Sequence, residues 1–296
     1  MIADLTVGDP PNRLHPVAWI GQALAWGRRR FMRGSAPRLL LAGALVTLGV
    51  TALATVVAIA VTGLASMLGW LGVVIEGVAL KTTFSIRGLA RSALDVSAHL
   101  ERGDIAAGRI AVGRDLVSRP TATLDAGQVA SATVESVAEN LTDAFLAPLL
   151  FFVAFGLPGA VAYRVVNTAD AMLGYREGAL LHFGRVAARL DDLLNVVPAR
   201  LAASLLVAAA AIGSADTRGA WLAMRRDHGR TASPNAGWTM AAMAGALGVA
   251  LEKRASYRLG SGPPPLARDV HRAVHLLILA AALVLPVLTV LSWVAR

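Results

Sequence analysis

Residues 135–195 decide the fold of this chain and read ESVAENLTDAFLAPLLFFVAFGLPGAVAYRVVNTADAMLGYREGALLHFGRVAARLDDLLN. Glu135, Glu139 and Asp143 recur every four residues, which places them on one helix face within roughly 80° of arc. Three like charges in a row repel one another by roughly a few tenths of a kcal/mol per pair. This acid row therefore predicts a cation beside it, either an arginine or Mg²⁺.

An apolar run at 144–163 follows the acid row, and Gly156 and Pro158 interrupt it. A glycine–proline break within a membrane segment predicts two half-helices or a re-entrant hairpin, which are tolerated where the backbone is buried in protein or lines a cavity. A full span would place the arginines at 164–189 outside the cell, against the positive-inside rule. We therefore favour the re-entrant path.

Composition identifies the class of protein. The 296 residues are 56% hydrophobic with a mean hydropathy of +0.60, and several apolar runs are long enough to cross a bilayer. The net charge of +9 comes mostly from arginine, which is typical of cytoplasmic loops and of contact with anionic lipid. No basic stretch is interleaved with aromatic residues, so no nucleic-acid partner is expected. The absence of cysteine excludes disulfides and thiolate metal sites.

These runs predict an all-α, polytopic integral membrane protein with a re-entrant or broken helix at 144–163 and a polar site on the cytoplasmic side. Residues 1–296 are expected to form one membrane-embedded domain. Its expected parts are a membrane hairpin at 39–80, a polar helical region at 81–134, the motif core at 135–200, a polar block at 216–273 and a final span at 274–294.

Local signals refine this outline. Gly63 is expected to break the hairpin, and Thr121 or Thr123 to cap the helix that follows Pro120. Glu76 is an acid within an apolar run and so a functional suspect, although a place near a helix end with headgroups or Lys81 as partner is the simpler interpretation. The histidines from residue 99 onward lack metal-binding spacing and are interpreted as structural or exposed.

Further polar clusters accompany the acid row. They are Arg164, Asn167, Asp170 and Gly174; Arg185, Arg189, Asp191, Asp192 and Asn195; Ser233, Asn235, Gly237 and Trp238; and Asp9 with His15. Carboxylate and amide oxygens suit Mg²⁺, and arginine binds phosphate bidentately. The inventory therefore predicts a metal and a phosphate substrate at a membrane interface. The nucleotide-binding pattern G-x-x-x-x-G-K-[ST] is absent, so spacing does not name ATP.

Each cluster also has a structural interpretation. Acids and arginines on neighbouring helices often pair only to satisfy buried charge, and this applies above all to the face formed by Arg185, Arg189 and Asp192. Ser233 opens a segment at 233–249 that begins like a helix cap and continues with small residues suited to close helix packing. The acid row is harder to explain in this way, because its own helix offers no cation.

Six segments resemble, in the same order, the membrane-bound adenosylcobinamide-phosphate synthases of cobalamin biosynthesis. They are GDPPNRLHPV at 8–17, GRD at 113–115, ESVAENLTDAFLAPL at 135–149, YRVVNTADAMLGYR at 163–176, FGRVAARLDDLLNVVPARL at 183–201 and SPNAGWTMAAMAGALGV at 233–249. The resemblance runs from Gly8 to about Gly260. The chain departs from the family pattern at Ala171, where serine is frequent, at Arg176, where lysine is frequent, and at 251–253, where the family usually has LGG.

The resemblance implies a carbon–nitrogen ligase. It would convert adenosylcobyric acid to adenosylcobinamide or its phosphate, by ATP- and Mg²⁺-dependent amide formation between a propionate carboxylate and aminopropanol or its phosphate. An acyl phosphate is the simple route for such a reaction. The resemblance also implies a multi-pass protein of the cell membrane whose active site faces the cytoplasm. A homo-oligomer, or association with other enzymes of cobalamin assembly, stays open.

Matching motifs carry expected roles over to this chain. The expected catalytic residues are Glu135, Glu139, Asn140, Asp143, Asn167, Asp170, Asp191 and Asp192, and Glu135, Glu139 and Asp143 are the expected metal ligands. Arg114, Arg185 and Arg189 are our candidates for binding phosphate. Asp9, His15, Ser233 and Asn235 match motifs and are grouped with substrate binding, without an individual role.

Two alternatives remain at this level. A related branch of the same fold contains proteins with sensory or regulatory roles, so a non-catalytic membrane regulator is the first alternative. A transporter with a site at the Gly156–Pro158 break is the second. A transporter would need acids deep within its spans, and most acids here lie outside the apolar runs.

Overall fold

Helices account for nearly all the regular structure. The computed structural model describes residues 4, 8, 11, 13, 15–253 and 256–294, with side chains up to residue 290. Contacts divide the chain into two units. The first unit takes residues 1–85, 147–195 and 291–296, and the second takes residues 86–146 and 196–290. The acid row therefore lies in the second unit, whereas the asparagine, aspartate and arginine motifs at 164–192 lie in the first.

The helices follow one another closely along the chain. In order they are α1 (Pro16–Phe31), α2 (Ala36–Ser66), α3 (Trp70–Lys81), α4 (Arg87–Glu101), α5 (Ile105–Asp115), α6 (Ala126–Leu141), α7 (Ala147–Leu173), α8 (Leu180–Phe183), α9 (Arg185–Leu194), α10 (Val196–Ile212), α11 (Thr217–Asp227), α12 (Ala236–Leu247) and α13 (Ala267–Val294). A π-helical turn (Thr142–Leu146) joins α6 to α7, and a 3₁₀ turn (His228–Arg230) follows α11.

The first unit packs α2 against α1, α7, α8 and α9. Its core contains Leu24 of α1, Leu173 of α7 and Phe183 of α8. A methyl group on Gly43 would collide with the carbonyl oxygen of Phe183, so this glycine allows α2 to lie directly on the backbone of α8. Small residues at such crossings let helix backbones approach closely, as membrane proteins require.

The hairpin of α2 and α3 differs from expectation in two respects. The predicted break at Gly63 is wrong, because α2 continues through it to Ser66 and the turn is made at Gly69, whose φ is +56°. Of the two partners expected for Glu76, headgroups or Lys81, the structure contradicts Lys81. Glu76 accepts a hydrogen bond of 2.9 Å from Thr62 Oγ1, and Lys81 lies 2.9 Å from a carboxylate oxygen of Asp4. The acid in the apolar run thus joins α2 to α3.

The predicted break in the apolar run is confirmed. Gly156 has φ +66° and ψ −164° within α7, a conformation that favours glycine, and Pro158 follows it without an N–H to donate. The 144–163 segment therefore consists of two helical pieces joined at Gly156. Whether this segment re-enters or crosses the bilayer stays a prediction.

The second unit surrounds α6, whose residues from Val129 to Ala138 are all buried. Val96 of α4 and Val112 of α5 belong to the same core as Val129. The helix α12 is buried along most of its length, and a methyl group on Gly245 would collide with the carbonyl oxygen of Gly219 in α11. The prediction of close packing by the small-residue segment at 233–249 is confirmed.

Two short strands form a hairpin in the second unit. Strand β1 (Leu251–Lys253) pairs antiparallel with β2 (Tyr257–Leu259), with Leu251 opposite Leu259 and Lys253 opposite Tyr257. Leu251 and Leu259 are fully buried. The hairpin occupies the place where the chain departs from the family pattern, and apart from it the described regular structure is helical.

Three helices are long and apolar enough to cross a membrane. They cover Ala36–Ser66, Ala126–Leu173 and Ala267–Val290, and the broken pair α9–α10 adds a fourth if it is taken as one span. The helix α2 exposes large apolar residues, and so does α13 up to residue 290. The range Ala126–Leu173 is half buried. The prediction of an all-α membrane protein is confirmed.

Candidate functional site

Glu135 is a buried carboxylate with a complete set of protein partners. Ser131 Oγ donates to its Oε1 at 2.8 Å, and the Tyr257 hydroxyl donates to its Oε2 at 2.7 Å. Arg119 Nη2 lies 3.6 Å from the same Oε2. The backbone N–H of Glu252 donates to Ser131 Oγ at 2.8 Å. Glu135 thus fastens the β-hairpin to α6, and Arg119 is the cation that its own helix lacks.

Tyr257 completes this network as a permanent donor. Burial raises its pKa above the ordinary value, and the negative charges of Glu135 and Glu139 raise it further because they disfavour a phenolate. The hydroxyl therefore keeps its proton at any physiological pH. Sequence reasoning missed Tyr257 because it lies 122 positions from Glu135 and leaves no local pattern. It missed Arg119 because this residue precedes α6 and lies outside the helical spacing of the acid row.

The rest of the acid row does not continue as an ideal helix would. The α-helix ends at Leu141, and Asp143 lies in the π-helical turn. A π turn is wider than an α turn, so the four-residue spacing no longer fixes Asp143 on the face of Glu135 and Glu139. The Asn140 amide donates to the carbonyl oxygen of Ser136 at 2.9 Å and is turned toward its own helix.

No metal centre follows from protein groups alone. Across residues 15–253 and 256–290, no three carboxylate or histidine side chains converge in a way that could hold a metal ion. Glu135, Glu139 and Asp143 are therefore not assembled into a three-ligand site. The described residues therefore do not fit a Mg²⁺ ion held by protein groups alone. They fit a Mg²⁺ ion that arrives with a phosphate, because such an ion needs only one or two protein carboxylates.

A second network lies in the first unit and joins α7 to α9. Asp191 accepts hydrogen bonds from the side-chain amides of Asn167 at 3.2 Å and of Asn195 at 3.0 Å. The Tyr163 hydroxyl donates to Asn195 Oδ1 at 2.9 Å, and Arg164 Nη1 donates to Asn167 Oδ1 at 3.2 Å. Motifs that are 24 residues apart in sequence thus meet at Asp191. Tyr163 was not among the predicted site residues.

Asp170 and Thr168 occupy the same helix with different surroundings. The Thr168 hydroxyl donates to the carbonyl oxygen of Arg164 at 2.7 Å, so it is bound within α7. The Asp170 carboxylate lies directly over Gly174, where any Cβ would collide with it. Gly174 is required there because it leaves room for the carboxylate at the end of α7.

An arginine-lined cavity lies beside this network in the first unit. Its volume is about 330 Å³, and its lining includes Arg176, Arg185, Arg189 and Asp192. Gly174, Tyr175, Leu180, Leu181, Gly184 and Ala188 complete the wall. Three arginines against one aspartate give the lining a formal charge of +2. The predicted phosphate residues Arg185 and Arg189 are therefore brought together in one cavity.

The guanidinium groups of Arg185 and Arg189 make no ion pair or hydrogen bond with the described residues. Throughout the described part of the chain, neither has a carboxylate within 4.0 Å or a side-chain hydrogen bond. The alternative of a salt-bridge network therefore fails for these two residues. Two unpaired arginines one helical turn apart suit a polyanionic ligand, since guanidinium groups bind phosphate oxygens bidentately.

Arg114 has a different environment. It is largely exposed on α5, donates to both carboxylate oxygens of Asp115 at 2.8 and 2.6 Å, and lies 3.4 Å from Asp95. The hydrogen bond from Arg114 lowers the pKa of Asp115 despite the opposing effect of burial. Arg114 is not part of the cavity lining. Its contacts with Asp115 and Asp95 give it a structural role.

The remaining predicted residues have local roles. His15 Nδ1 accepts a hydrogen bond from the Val17 N–H at 3.2 Å and caps α1. Ser233 Oγ accepts from the N–H groups of Asn235 and Ala236 at 3.2 and 3.4 Å and so orders the turn that leads into α12. The N-cap residue of α12 is Asn235, which makes no side-chain cap hydrogen bond. Asn235 Oδ1 accepts from Arg200, a residue not singled out from the sequence. Asp9 lies outside the described residues.

Comparison with known proteins covers nearly the whole chain. A family model described as "CobD/Cbib protein" matches residues 1–284. "Cobalamin biosynthesis protein CobD" of Dehalococcoides mccartyi is 41% identical over 273 residues, which are 90% of this chain and 86% of that protein. "Probable cobalamin biosynthesis protein CobD" of Methanothermobacter thermautotrophicus is 42% identical over 88% of this chain and 84% of its own. "Cobalamin biosynthesis protein CobD" of Rhizobium meliloti is 39% identical over 93% and 86%. No solved structure matches.

Proposed function

The chain belongs to the CobD/Cbib protein family of cobalamin biosynthesis, and from this premise we propose that it is the membrane ligase that forms adenosylcobinamide or its phosphate. The reaction joins a propionate carboxylate of adenosylcobyric acid to the amine of aminopropanol or its phosphate. ATP supplies the driving force, because a carboxylate and an amine do not form an amide in water without activation.

The observation that carries the ATP-dependent form of this proposal is the arginine-lined cavity. Its formal charge of +2 and the two uncommitted guanidinium groups of Arg185 and Arg189 suit the phosphate chain of a nucleotide. Phosphoryl transfer needs mainly positioning and charge stabilisation, and paired arginines supply both. Asp192 is the carboxylate within the same lining.

The bond changes follow from the chemistry of amide formation. The terminal phosphoryl group of ATP moves to the propionate oxygen, which forms an acyl phosphate and ADP. The amine nitrogen then attacks the carbonyl carbon, loses a proton and expels inorganic phosphate. Arg185 and Arg189 hold the transferred phosphoryl oxygens in both steps, since these oxygens carry the negative charge throughout.

Mg²⁺ enters the proposal only as the counterion of ATP. The described residues do not assemble a resident three-ligand metal site, so no step is derived through the ion. Asp192, which lines the arginine-lined cavity, is the carboxylate retained as a candidate to approach it. Asp191 is retained as a residue that positions α9 against α7, because the Asn167 amide of α7 donates to it. Asp170, whose carboxylate lies over Gly174, is retained as a candidate catalytic residue.

Arginine substitutions test the proposal directly. The double variant Arg185→Lys/Arg189→Lys keeps the charge and removes the bidentate geometry, so we expect KM for ATP to rise about tenfold or more. The matched control is Arg218→Lys on α11, whose side chain is exposed and has no partner in the described structure. An unchanged KM for ATP in the double variant, measured in purified protein that retains its thermal stability, would contradict the assignment of the cavity.

A growth experiment separates the synthase from the regulator of the same fold. A strain that lacks the gene should grow on cobinamide and fail to grow on cobyric acid when cobalamin is required. A strain with no cobalamin phenotype would instead support the regulatory alternative.

The active site is proposed to face the cytoplasm, because arginine-rich loops flank the apolar helices.

A further inference from the structure

Arg200 is an arginine held in place on one side and open on the other. It lies one turn after the start of α10, in the second unit, and its Nη1 donates to the carbonyl oxygen of Val196 at 2.6 Å and to Asn235 Oδ1 at 3.2 Å. These two bonds use both protons of Nη1. The guanidinium is therefore tied to its own helix and to the start of α12.

An aromatic pair supports the same guanidinium. Its Cζ lies 4.8 Å from the centre of the Trp238 ring, a distance at which cation and ring attract each other. The His228 ring stacks on Trp238 with centroids 4.0 Å apart and planes 20° from parallel. Ser233 Oγ orders the turn that presents Asn235. A flexible side chain thus receives a defined position, at the cost of its rotamer freedom.

The opposite edge of the guanidinium has no such partner. Within residues 15–253 and 256–290, Nε and Nη2 of Arg200 have no hydrogen-bond acceptor, and no carboxylate lies within 4.0 Å of the group. Every partner that Arg200 has is electrically neutral. The Nε–Nη2 edge carries the parallel N–H bonds that bind the two oxygens of a carboxylate or phosphate.

From these contacts we propose that Arg200 binds an oxyanion of the substrates, a carboxylate or a phosphate, through its Nε–Nη2 edge, with Trp238 and Asn235 as positioning residues. This proposal rests on the proposed function, which supplies three oxyanions: the propionate of the corrinoid, the phosphate of the amine and the phosphates of ATP. It also gives the SPNAGW segment at 233–238 a role beyond starting a helix.

Steady-state kinetics identify which oxyanion is bound. Arg200→Lys keeps the charge and loses the fork, so KM should rise about tenfold for one substrate and stay within about twofold for the other two. A rise for adenosylcobyric acid assigns the propionate, and a rise for aminopropanol phosphate that is absent with aminopropanol assigns the amine phosphate. A rise for ATP alone assigns the nucleotide. Trp238→Ala should raise KM for that same substrate, and Arg218→Lys should raise none.

A protection experiment tests the site independently of turnover. Phenylglyoxal modifies exposed guanidinium groups, and peptide mapping by mass spectrometry follows Arg200 in the full-length protein in detergent. We expect the modification of Arg200 to slow several-fold with pyrophosphate or with adenosylcobyric acid, while that of Arg218 does not change. If the anions protect Arg200 from modification but the protein has no synthase activity, the proposed function is wrong and the oxyanion site at Arg200 is supported.

Two results would overturn the inference. One is a wild-type rate of Arg200 modification in the presence of pyrophosphate, aminopropanol phosphate and adenosylcobyric acid alike. The other is an Arg200→Lys enzyme whose three KM values all stay within about twofold of wild type. If Arg200→Lys lowers thermal stability and the rate without a selective KM change, the residue is only a tie between helices and the inference is likewise wrong.

Discussion

Asp227 shows how this protein stabilises a carboxylate that is fully buried. Arg226 donates to both of its oxygens, at 2.9 and 2.7 Å, and Arg230 Nε lies 3.1 Å away. The Gly260 N–H donates at 2.9 Å, which joins the end of α11 to the end of the hairpin. Burial by itself raises the pKa of Asp227, but the hydrogen bonds from Arg226 and Gly260 and the two positive charges lower it below the ordinary value.

This lowered pKa predicts a loss of stability in acid. A carboxyl whose pKa is lower in the folded than in the unfolded state stabilises the fold above the unfolded value of about 3.9, and the effect disappears as pH falls through the folded pKa. Asp227→Asn should therefore cost about 2 kcal/mol at pH 7, and its difference from wild type should shrink below about pH 4. Chemical unfolding in detergent at pH 7 and at pH 3.5 measures both quantities.

The matched control is Asp95→Asn. Asp95 is about half exposed and lies 3.4 Å from Arg114, and pairs of this kind contribute roughly 0–1 kcal/mol. A difference between Asp227→Asn and wild type that is the same at both pH values would show that the charge of Asp227 does not stabilise the fold.

Six arginines of the described structure differ in their partners. Arg226, Arg230 and Arg114 pair with carboxylates and stabilise structure. Arg185, Arg189 and Arg200 have no carboxylate partner among the described residues, although all three lie on ordered helices. Sequence spacing singled out Arg185 and Arg189 and missed Arg200. A lone arginine before an apolar run indicates membrane orientation and not a binding site.

At the scale of the element, the start of α6 shows a helix cap that is present in the sequence but that we predicted at the wrong residue. The expected cap at Thr121 or Thr123 is wrong, since α6 begins after Asp125. Asp125 Oδ1 accepts from the Gln128 N–H at 2.9 Å, and the Gln128 side chain accepts from the Asp125 N–H at 3.0 Å. This reciprocal capping box satisfies two otherwise unpaired donors. Thr121 instead donates to the carbonyl oxygen of Arg109.

Removal of this cap should destabilise the helix that carries the acid row. We expect Asp125→Ala to lower the free energy of unfolding by about 1 kcal/mol, because an N-cap carboxylate and its capping box are lost. Thr123→Ala, two residues away and outside the cap, should change it by less than about 0.5 kcal/mol. Equal effects of the two substitutions in thermal unfolding would show that the box adds nothing to α6.

At the scale of the whole molecule, the bilayer decides which surfaces are stable. The helix α2 has 31 residues, or roughly 46 Å at 1.5 Å per residue, which exceeds the hydrocarbon thickness of about 30 Å. Its exposed leucines and valines are therefore suited to lipid. The following helix α3 has 12 residues and is too short to cross alone. The predicted hairpin at 39–80 thus contains one long and one short helix.

The absence of cysteine makes the membrane topology directly testable. Single substitutions Ser35→Cys, Ala106→Cys and Ser261→Cys introduce exposed thiols without removal of any native one. Positive-inside reasoning predicts that all three are cytoplasmic, so a membrane-impermeant maleimide should label them in inverted vesicles and spare them in intact cells.

Met67→Cys provides the opposite case. Met67 is 82% exposed at the far end of α2, and a spanning α2 carries it to the outer side. Labelling of Met67→Cys and Ser35→Cys from the same side would contradict a span by α2. Labelling of Ala106→Cys in intact cells would contradict a cytoplasmic orientation for the polar region at 81–134.

By itself, the sequence determined the class of protein, the family motifs, the break at Gly156 and the close packing at 233–249, because hydropathy, glycine conformation and residue size act over short stretches of chain. Only the tertiary structure decided how the charges are used. It gave Glu135 the distant partner Tyr257 and the nearer Arg119, and it placed Asp143 in a π turn. Among the described residues, it left Arg185, Arg189 and Arg200 without a carboxylate partner. The physical reason is that an ion pair depends on distance in space, which packing sets between segments that lie far apart in sequence.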